Sequence, residues 1–201
     1  GVTATKPDSK VSTEETLDLE ATVSVPFEYA DSYANITKWY KMGIRDDNQG
    51  PSYLKYDATK AYIPTPGTYD DAHKHNFAWA FIGDPFTGFE IVNNAAGETK
   101  VLSAPSAPTG DKNAAELARM VTKNDATGNT SWVFKNTTHN NAKAGAFYIE
   151  HPTAATYAFN RQTYSDEPTL CYWNNRDTGS SIWVEELPIG AAAELEALVA
   201  E

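Results

Sequence analysis

Apolar and polar residues alternate over short runs along most of this chain, and this pattern predicts β-strands. In residues 17–25, five aliphatic side chains alternate with Asp, Glu, Thr and Ser, which is typical of a strand with one buried face. Turns rich in Asp, Asn, Gly and Pro separate the later runs. The predicted strands of this later part are 39–44, 52–57, 61–64, 76–83, 88–94, 100–105, 131–136, 146–152, 156–162, 169–173 and 181–187.

The segment 169–187 is the clearest local signal. An apolar run at 170–173 is followed by the polar sequence Asn-Asn-Arg-Asp-Thr-Gly and then by a second run in which Ile182 and Val184 alternate with polar residues or Trp. Asn, Asp and Gly tolerate left-handed backbone angles and bond locally to the main chain. The segment therefore predicts a hairpin.

Aromatic residues recur at regular intervals in the predicted strands. Trp79, Trp132 and Trp183 are separated by 53 and 51 residues, and the runs that open each interval carry Tyr40, Phe89 and Phe147. Three units of about 50 residues, each with four short strands, predict an all-β fold of the β-trefoil type, a six-stranded barrel capped by three hairpins. The alternative is chance recurrence in a chain with five Trp residues. We interpret the three Trp residues as structural.

The same pattern suggests a domain organisation. We expect residues 1–24 to form a linker and a short strand, residues 25–188 to form the β-trefoil domain, and residues 189–201 to form a helical tail rich in Ala, Leu and Glu. Whether the strand at 17–25 belongs to the trefoil or to an upstream domain is left open.

Charge and composition exclude several classes of partner. The formal net charge is −11 and the pI is about 4.8, so the chain lacks the positive footprint of a nucleic-acid binder. No apolar run approaches the ~20 residues of a membrane span, so no membrane insertion is expected. Cys171 is the only cysteine in the sequence, which excludes an intrachain disulfide, and its apolar surroundings predict a buried side chain.

Several segments resemble the β-trefoil domains of ricin-type lectins, which recur in large secreted and surface proteins of gut-dwelling bacteria. The segments are WYKM, YLKYD, FAWAFIGDPFTGFEIVNNAAG, KVLS and LCYWNNRDTGSSIWVEE. The resemblance implies the trefoil fold, carbohydrate recognition and a secreted or cell-surface location. Sugar-binding members carry Gln two residues before the closing Trp, whereas this chain has Phe77, Thr130 and Ser181 there.

The candidate carbohydrate-binding residues combine aromatic faces with polar groups that bond to sugar hydroxyls. They cluster in the predicted hairpin turn, with a lesser set in the first unit. The residues are Tyr172, Trp173, Asn174, Asn175 and Asp177, together with Tyr56 and Asp57. The alternative is that Tyr172 or Trp173 belongs to the core and that the Asn and Asp residues only shape the turn.

Catalytic and metal chemistry find little support in the sequence. His73 and His75, near Asp70 and Asp71, would share one face of an extended segment, but no third ligand has suitable spacing. The carboxylate pairs are adjacent in sequence, so they would face opposite ways rather than flank a cleft. We therefore expect no catalytic residues, no metal and no cofactor.

Two functions from different classes follow. The first is a non-catalytic glycan-binding, lectin-like module of a larger secreted or cell-surface bacterial protein, with a glycan and the neighbouring domains of the same polypeptide as partners. The second is a structural or protein–protein interaction spacer with no ligand of its own. Aromatic richness and the trefoil pattern favour the first, and the missing Gln-x-Trp favours the second.

Overall fold

The computed structural model describes most of the chain after residue 23. The described residues are 24–45, 50–105, 116–124, 128–139, 142–164, 166–173 and 176–190. Residues 17–23 of the predicted strand and residues 191–201 of the predicted helical tail lie outside them. Among the described residues, no helix combines the length and the apolar character needed to cross a membrane.

The described residues form an all-β domain. Its strands are β1 Tyr40–Ile44, β2 Ser52–Tyr53, β3 Trp79–Asp84, β4 Gly88–Asn93, β5 Lys100–Ser103, β6 Arg119–Thr122, β7 Val133–Asn136, β8 Phe147–His151, β9 Ala154–Tyr164, β10 Glu167–Trp173 and β11 Ile182–Glu186. Short 3-10 helices connect some of them, at Tyr33–Asn35, Asp71–Phe77 and Thr178–Ser180.

Six of these strands close into a barrel. Strand β1 pairs with β3, β3 with β4, β7 with β8, β8 with β11, and β11 with β1, always antiparallel. A bridge between Phe89 and Trp132 joins β4 to the start of β7 and completes the ring. Because every strand has two neighbours, the barrel leaves no open sheet edge. The predicted β-trefoil fold is confirmed.

The three hairpins that cap the barrel meet in a ring of backbone hydrogen bonds. The amide of Ile63 donates to the carbonyl of Ala118 at 3.2 Å, and Ala118 donates to Leu170 at 3.0 Å. Leu170 in turn donates to Ile63 at 2.8 Å. The three residues come from the three units and are at most 1% exposed. One buried residue of each unit therefore lies at the approximate threefold axis.

The pairing register corrects one predicted equivalence. The indole Nε1 atom of Trp79 donates to the carbonyl of Leu54, just after β2, and that of Trp132 donates to the carbonyl of Leu102 on β5. Trp79 lies opposite Tyr40 of β1, and Trp132 lies opposite Phe89 of β4. In the third unit, the residue opposite Phe147 is Ile182. Trp183 is therefore not their equivalent. Since side chains alternate along a strand, it lies on the other face, against Gly43.

The first unit also departs from the predicted four strands. Its third strand, predicted at 61–64, is reduced to a bridge between Pro64 and Thr169. Proline has no backbone N–H group, so Pro64 and Pro66 cannot continue a hydrogen-bonded ladder.

Phe27 joins the aromatic core from outside the barrel strands. Its ring stacks on Phe81 with centroids 4.0 Å apart and also contacts Phe89, Phe134 and Phe147. These partners belong to all three units. Phe27 is 5% exposed, so the segment before β1 is an integral part of the core.

An ion pair ties the segment after β10 to the barrel. The carboxylate of Glu150 on β8 is fully buried, and Arg176 donates to it through two nitrogen atoms at 2.5 and 2.6 Å. The guanidinium also lies over the Tyr148 ring, 5.6 Å from its centroid. This two-point contact holds residue 176 against β8.

Replacing Phe27 by Ala should lower the free energy of unfolding by about 3–5 kcal/mol, because the ring leaves a cavity shared by three units. Urea unfolding followed by fluorescence measures the change. Tyr29→Ala is the control, because Tyr29 is 50% exposed. Equal midpoints for the two variants would show that Phe27 does not stabilise the core.

Replacing Arg176 by Met should leave the Glu150 carboxylate buried without its cation. Losses of 3–5 kcal/mol are typical of broken buried pairs, and we expect about 3 kcal/mol because Arg176 is 30% exposed. Chemical unfolding should also show that Glu150→Leu in the same chain recovers most of the loss. Lys38→Met, which removes two more exposed pairs, with Glu28 and with Glu186, should have a far smaller effect. A larger effect of the control would contradict this assignment.

Candidate functional site

Tyr172, the first of the predicted ligand-binding residues, lies in the core. Its side chain is 0% exposed, and its ring packs against Trp132 at 5.1 Å and Phe159 at 5.3 Å between centroids. The hydroxyl donates to the carbonyl of Tyr157 at 3.0 Å and accepts the amide of His151. Burial raises the pKa of Tyr172. A ring enclosed in this way has no face for a surface ligand. Tyr172 is therefore a core residue and not a carbohydrate-binding one.

Asp177 shapes the turn after β10. Its Oδ1 atom accepts the amide of Gly179 at 2.8 Å and the Nδ2 group of Asn160 at 2.8 Å. The same Asn160 side chain donates to the hydroxyl of Ser180 at 2.9 Å and is 0% exposed. One oxygen of Asp177 is thus committed to capping the 3-10 helix Thr178–Ser180.

Of the other residues of the predicted loop, the structure describes Trp173. Trp173 is half-buried at the end of β10, opposite Ala158 on β9. Asn174 and Asn175 lie outside the described residues, so their role stays a prediction.

Tyr56, from the lesser predicted set, lines a pocket of about 220 Å³ between the first and second units. One wall is the segment that follows β2, and the other comes from the hairpin of β5 and β6. The described lining residues are Tyr56, Ala58, Lys60, Ala61, Tyr62, Ile63, Lys100, Arg119 and Met120. We call this the Tyr56 pocket.

Tyr56 is held firmly at the edge of this pocket. Its amide donates to the carbonyl of Asn76 at 2.9 Å, and the Asn76 side chain donates back to the carbonyl of Tyr56 at 3.0 Å. On the pocket side, the ammonium of Lys100 reaches the Tyr56 hydroxyl at 3.4 Å and lies 5.8 Å from the ring centroid. A residue of the second unit thus contacts the aromatic residue of the first.

Asp57 forms the turn beside Tyr56 rather than a ligand contact of its own. Its Oδ1 atom accepts the hydroxyl and the amide of Thr59 at 2.7 and 2.9 Å, and these bonds lower the pKa of Asp57. The amide of Lys60 donates to the Asp57 carbonyl at 3.0 Å. This turn folds the chain back, so that Lys60 lines the same pocket as Tyr56.

Lys60 and Tyr62 share a carboxylate from the third unit. Lys60 Nζ lies 2.5 and 2.6 Å from the two oxygens of Glu167, and the Tyr62 hydroxyl donates to Glu167 at 2.5 Å. Burial alone would raise the pKa of Glu167, but the bonds from Lys60 and Tyr62 outweigh it and lower that pKa. The hydrogen bond to Glu167 raises the pKa of Lys60. The pair is therefore fully charged at neutral pH.

The His and Asp residues near the start of β3 form separate contacts. His73 Nδ1 lies 2.5 Å from Asp70, whereas His75 Nδ1 lies 2.7 Å from Asn94. Within the described part of the chain, no three His, Cys, Asp or Glu side chains gather in a way that could hold a metal ion.

Sequence reasoning missed the four other polar members of the described pocket lining, which are Lys60, Tyr62, Lys100 and Arg119. The spacing of Tyr56, Lys60 and Tyr62 around a turn-forming Asp is a usable local signal. The approach of Lys100 and Arg119 depends on the packing of one unit against the next, and no local pattern indicates it.

No protein-family model matches this sequence, and no curated protein sequence matches it. Solved structures match in fold. The GlcNAcα1-4Gal-releasing endo-β-galactosidase from Clostridium perfringens has a TM-score of 0.54 and 15% identity, over 76% of this chain and 33% of that chain. Cry35Ab1 has a TM-score of 0.51 and 12% identity, over 77% of this chain and 38% of that chain.

The designed threefold-symmetric protein ThreeFoil, a β-trefoil, matches with a TM-score of 0.50 and 14% identity, over 74% of this chain and 99% of that chain. The chain thus spans about a third of the first protein, 38% of the second and nearly the whole length of the third. At these identities the likeness shows the fold alone. The β-trefoil part of the sequence resemblance is confirmed, whereas ricin-type membership and a gut-bacterial origin stay predictions.

Proposed function

We propose that this domain is a non-catalytic carbohydrate-binding module and that the Tyr56 pocket holds the sugar. The observation that supports the proposal is the composition of the pocket, which joins two tyrosine rings to ammonium and guanidinium donors. In this proposal the domain belongs to a larger secreted or cell-surface protein, and its other partners are the neighbouring domains of that polypeptide.

The pocket meets the physical demands of sugar binding. A pyranose has an apolar face, which packs on an aromatic ring, and a rim of hydroxyl groups that need hydrogen-bond partners. Tyr56 and Tyr62 supply rings and hydroxyls, while Lys100 and Arg119 supply further donors. A volume of about 220 Å³ is below the ~300–1,000 Å³ of sites for drug-sized ligands, which suits one sugar residue better than a long chain.

One of the matching structures is named as an enzyme that releases a disaccharide from carbohydrate. This chain matches only 33% of its length, so the catalytic activity is not carried over. The likeness supports the narrower idea that such a trefoil accompanies a carbohydrate-active protein.

An exposed aromatic hollow favours the second candidate function, a spacer that contacts a neighbouring domain. Tyr29 and Phe86 are 50% and 49% exposed, and both line a hollow of about 400 Å³ together with Val25 and Phe27. Single exposed aromatic residues are common, but two around one hollow form an apolar patch suited to protein contact. Under this candidate the partner is an adjacent domain of the same polypeptide.

Tyr56→Ala should weaken sugar binding by at least about tenfold, because it removes one aromatic wall of the pocket. A glycan array selects the sugar, and calorimetric titration of the whole chain measures the affinity. Tyr29→Ala is the matched control and should bind as the unchanged chain does.

Two results would contradict the proposal. If no sugar binds, the spacer candidate is favoured, and loss of contact with a neighbouring domain in Tyr29→Ala and Phe86→Ala would support it. If Trp173→Ala abolishes sugar binding while Tyr56→Ala does not, the site is the hairpin turn rather than the Tyr56 pocket.

A further inference from the structure

We infer that Lys100 and the hydroxyl of Tyr56 are the pair of hydrogen-bond donors that determines which sugar the Tyr56 pocket selects. In this inference the pair binds two neighbouring oxygen atoms of one sugar residue. The inference rests on the proposed carbohydrate-binding function and names the groups that give it specificity. Its basis is the different bonding of two Lys–Tyr pairs in the same pocket.

The described lining of the pocket contains two Lys–Tyr pairs of similar geometry. Lys60 Nζ lies 5.6 Å from the centroid of the Tyr62 ring, and Lys100 Nζ lies 5.8 Å from that of the Tyr56 ring. An ammonium near an aromatic ring is attracted to it in either case. The ring contacts therefore do not distinguish the two pairs, but their hydrogen bonds do.

The pair of Lys60 and Tyr62 is bonded to a carboxylate of the protein. Glu167 accepts from Lys60 at 2.5 and 2.6 Å and from the Tyr62 hydroxyl at 2.5 Å. A phenol has a single O–H donor, so Tyr62 has no second proton to offer a ligand. This pair forms a wall of the pocket and joins the first unit to the third.

The pair of Lys100 and Tyr56 keeps its donors for the pocket. Lys100 Nζ donates to the Tyr56 hydroxyl oxygen at 3.4 Å, and an ammonium cannot accept a bond in return. Among the described residues, the Tyr56 O–H group has no acceptor and Lys100 has no carboxylate partner. The phenol proton and two of the three ammonium N–H groups are thus left for groups that enter the pocket.

Both donors are placed by ordered backbone. Tyr56 is fixed by its two hydrogen bonds with Asn76, and Lys100 opens β5 opposite Thr122 of β6. The two donor atoms therefore lie side by side, 3.4 Å apart. Donors at this spacing match two neighbouring oxygen atoms of a single pyranose, while the adjacent tyrosine ring packs on its apolar face.

This arrangement makes the pair selective. A sugar that lacks one of the two oxygen atoms leaves a donor of the pocket without a partner, and such a loss costs more than the loss of a solvated group. The rings of Tyr56 and Tyr62 contribute to the affinity for any pyranose. The donor pair determines which hydroxyl groups that pyranose must carry.

The first test removes oxygen atoms from the sugar. The whole chain is titrated by calorimetry with the methyl glycosides of glucose, galactose and mannose, which present neighbouring hydroxyls in different orientations. The monodeoxy derivatives of the tightest glycoside are then compared with it. We expect two derivatives, modified at adjacent carbons, to bind about tenfold more weakly and the others to stay within about threefold.

The second test removes the donors from the protein. Tyr56→Phe keeps the ring and Lys100→Met keeps the chain length, and each should weaken the glycoside about tenfold. Lys100→Arg, which retains a charged donor, should recover most of the affinity. Tyr29→Phe and Lys123→Met are the matched controls and should bind as the unchanged chain does, because both residues lie outside the described lining.

Combining the two tests separates a direct contact from an effect on pocket shape. Tyr56→Phe should bind one of the two critical deoxy derivatives as tightly as it binds the parent glycoside, because donor and acceptor are then both absent. Lys100→Met should behave in the same way toward the other derivative. Variants that bind weakly but keep the full deoxy pattern of the unchanged chain overturn the inference.

The remaining outcomes distinguish this inference from the proposed function. If Tyr56→Ala loses the glycoside but Tyr56→Phe and Lys100→Met do not, the inference is overturned and carbohydrate binding stands. The same holds if a sugar of the array binds but none of the three glycosides does. If no sugar of the array and no glycoside binds, both proposals fail.

Discussion

Three buried backbone hydrogen bonds at the threefold axis hold this fold together. Ile63, Ala118 and Leu170 each donate to the next unit in a closed cycle, so each unit satisfies one amide and one carbonyl of its neighbours. A buried amide or carbonyl without a partner costs about 1–3 kcal/mol, so a change in one unit affects the other two. The cycle fixes the placement of the three hairpins relative to one another.

The Tyr56 pocket is a consequence of the same constraint. Ile63 is both a member of the hydrogen-bonded cycle and a lining residue, and Met120 lies two residues beyond Ala118 in the next unit. The bond from Ile63 to Ala118 therefore sets the distance between the two walls. Residues that differ in type between the units can occupy such a cleft without disturbing the barrel, which lets one fold carry unrelated ligands.

The sequence predicted this architecture because strand alternation and a repeat near 50 residues are local or periodic signals. Tyr172 shows the limit of predicting a binding turn from its composition. It follows Leu170 by two residues on the same strand, so the strand period places both side chains on one face, and both are buried. Trp183 shows a second limit. A one-residue offset from Ile182 is invisible in spacing alone but reverses the side-chain direction.

The pocket lies only partly within reach of such reasoning. Asp57 forms a local turn that returns Lys60 to the side of Tyr56, and this turn can be read from the sequence. Lys100 and Arg119 line the same pocket only because the second unit packs against the first, and no local pattern indicates that packing. Predicting such a site from the sequence therefore requires the register between the units as well as the strands within each unit.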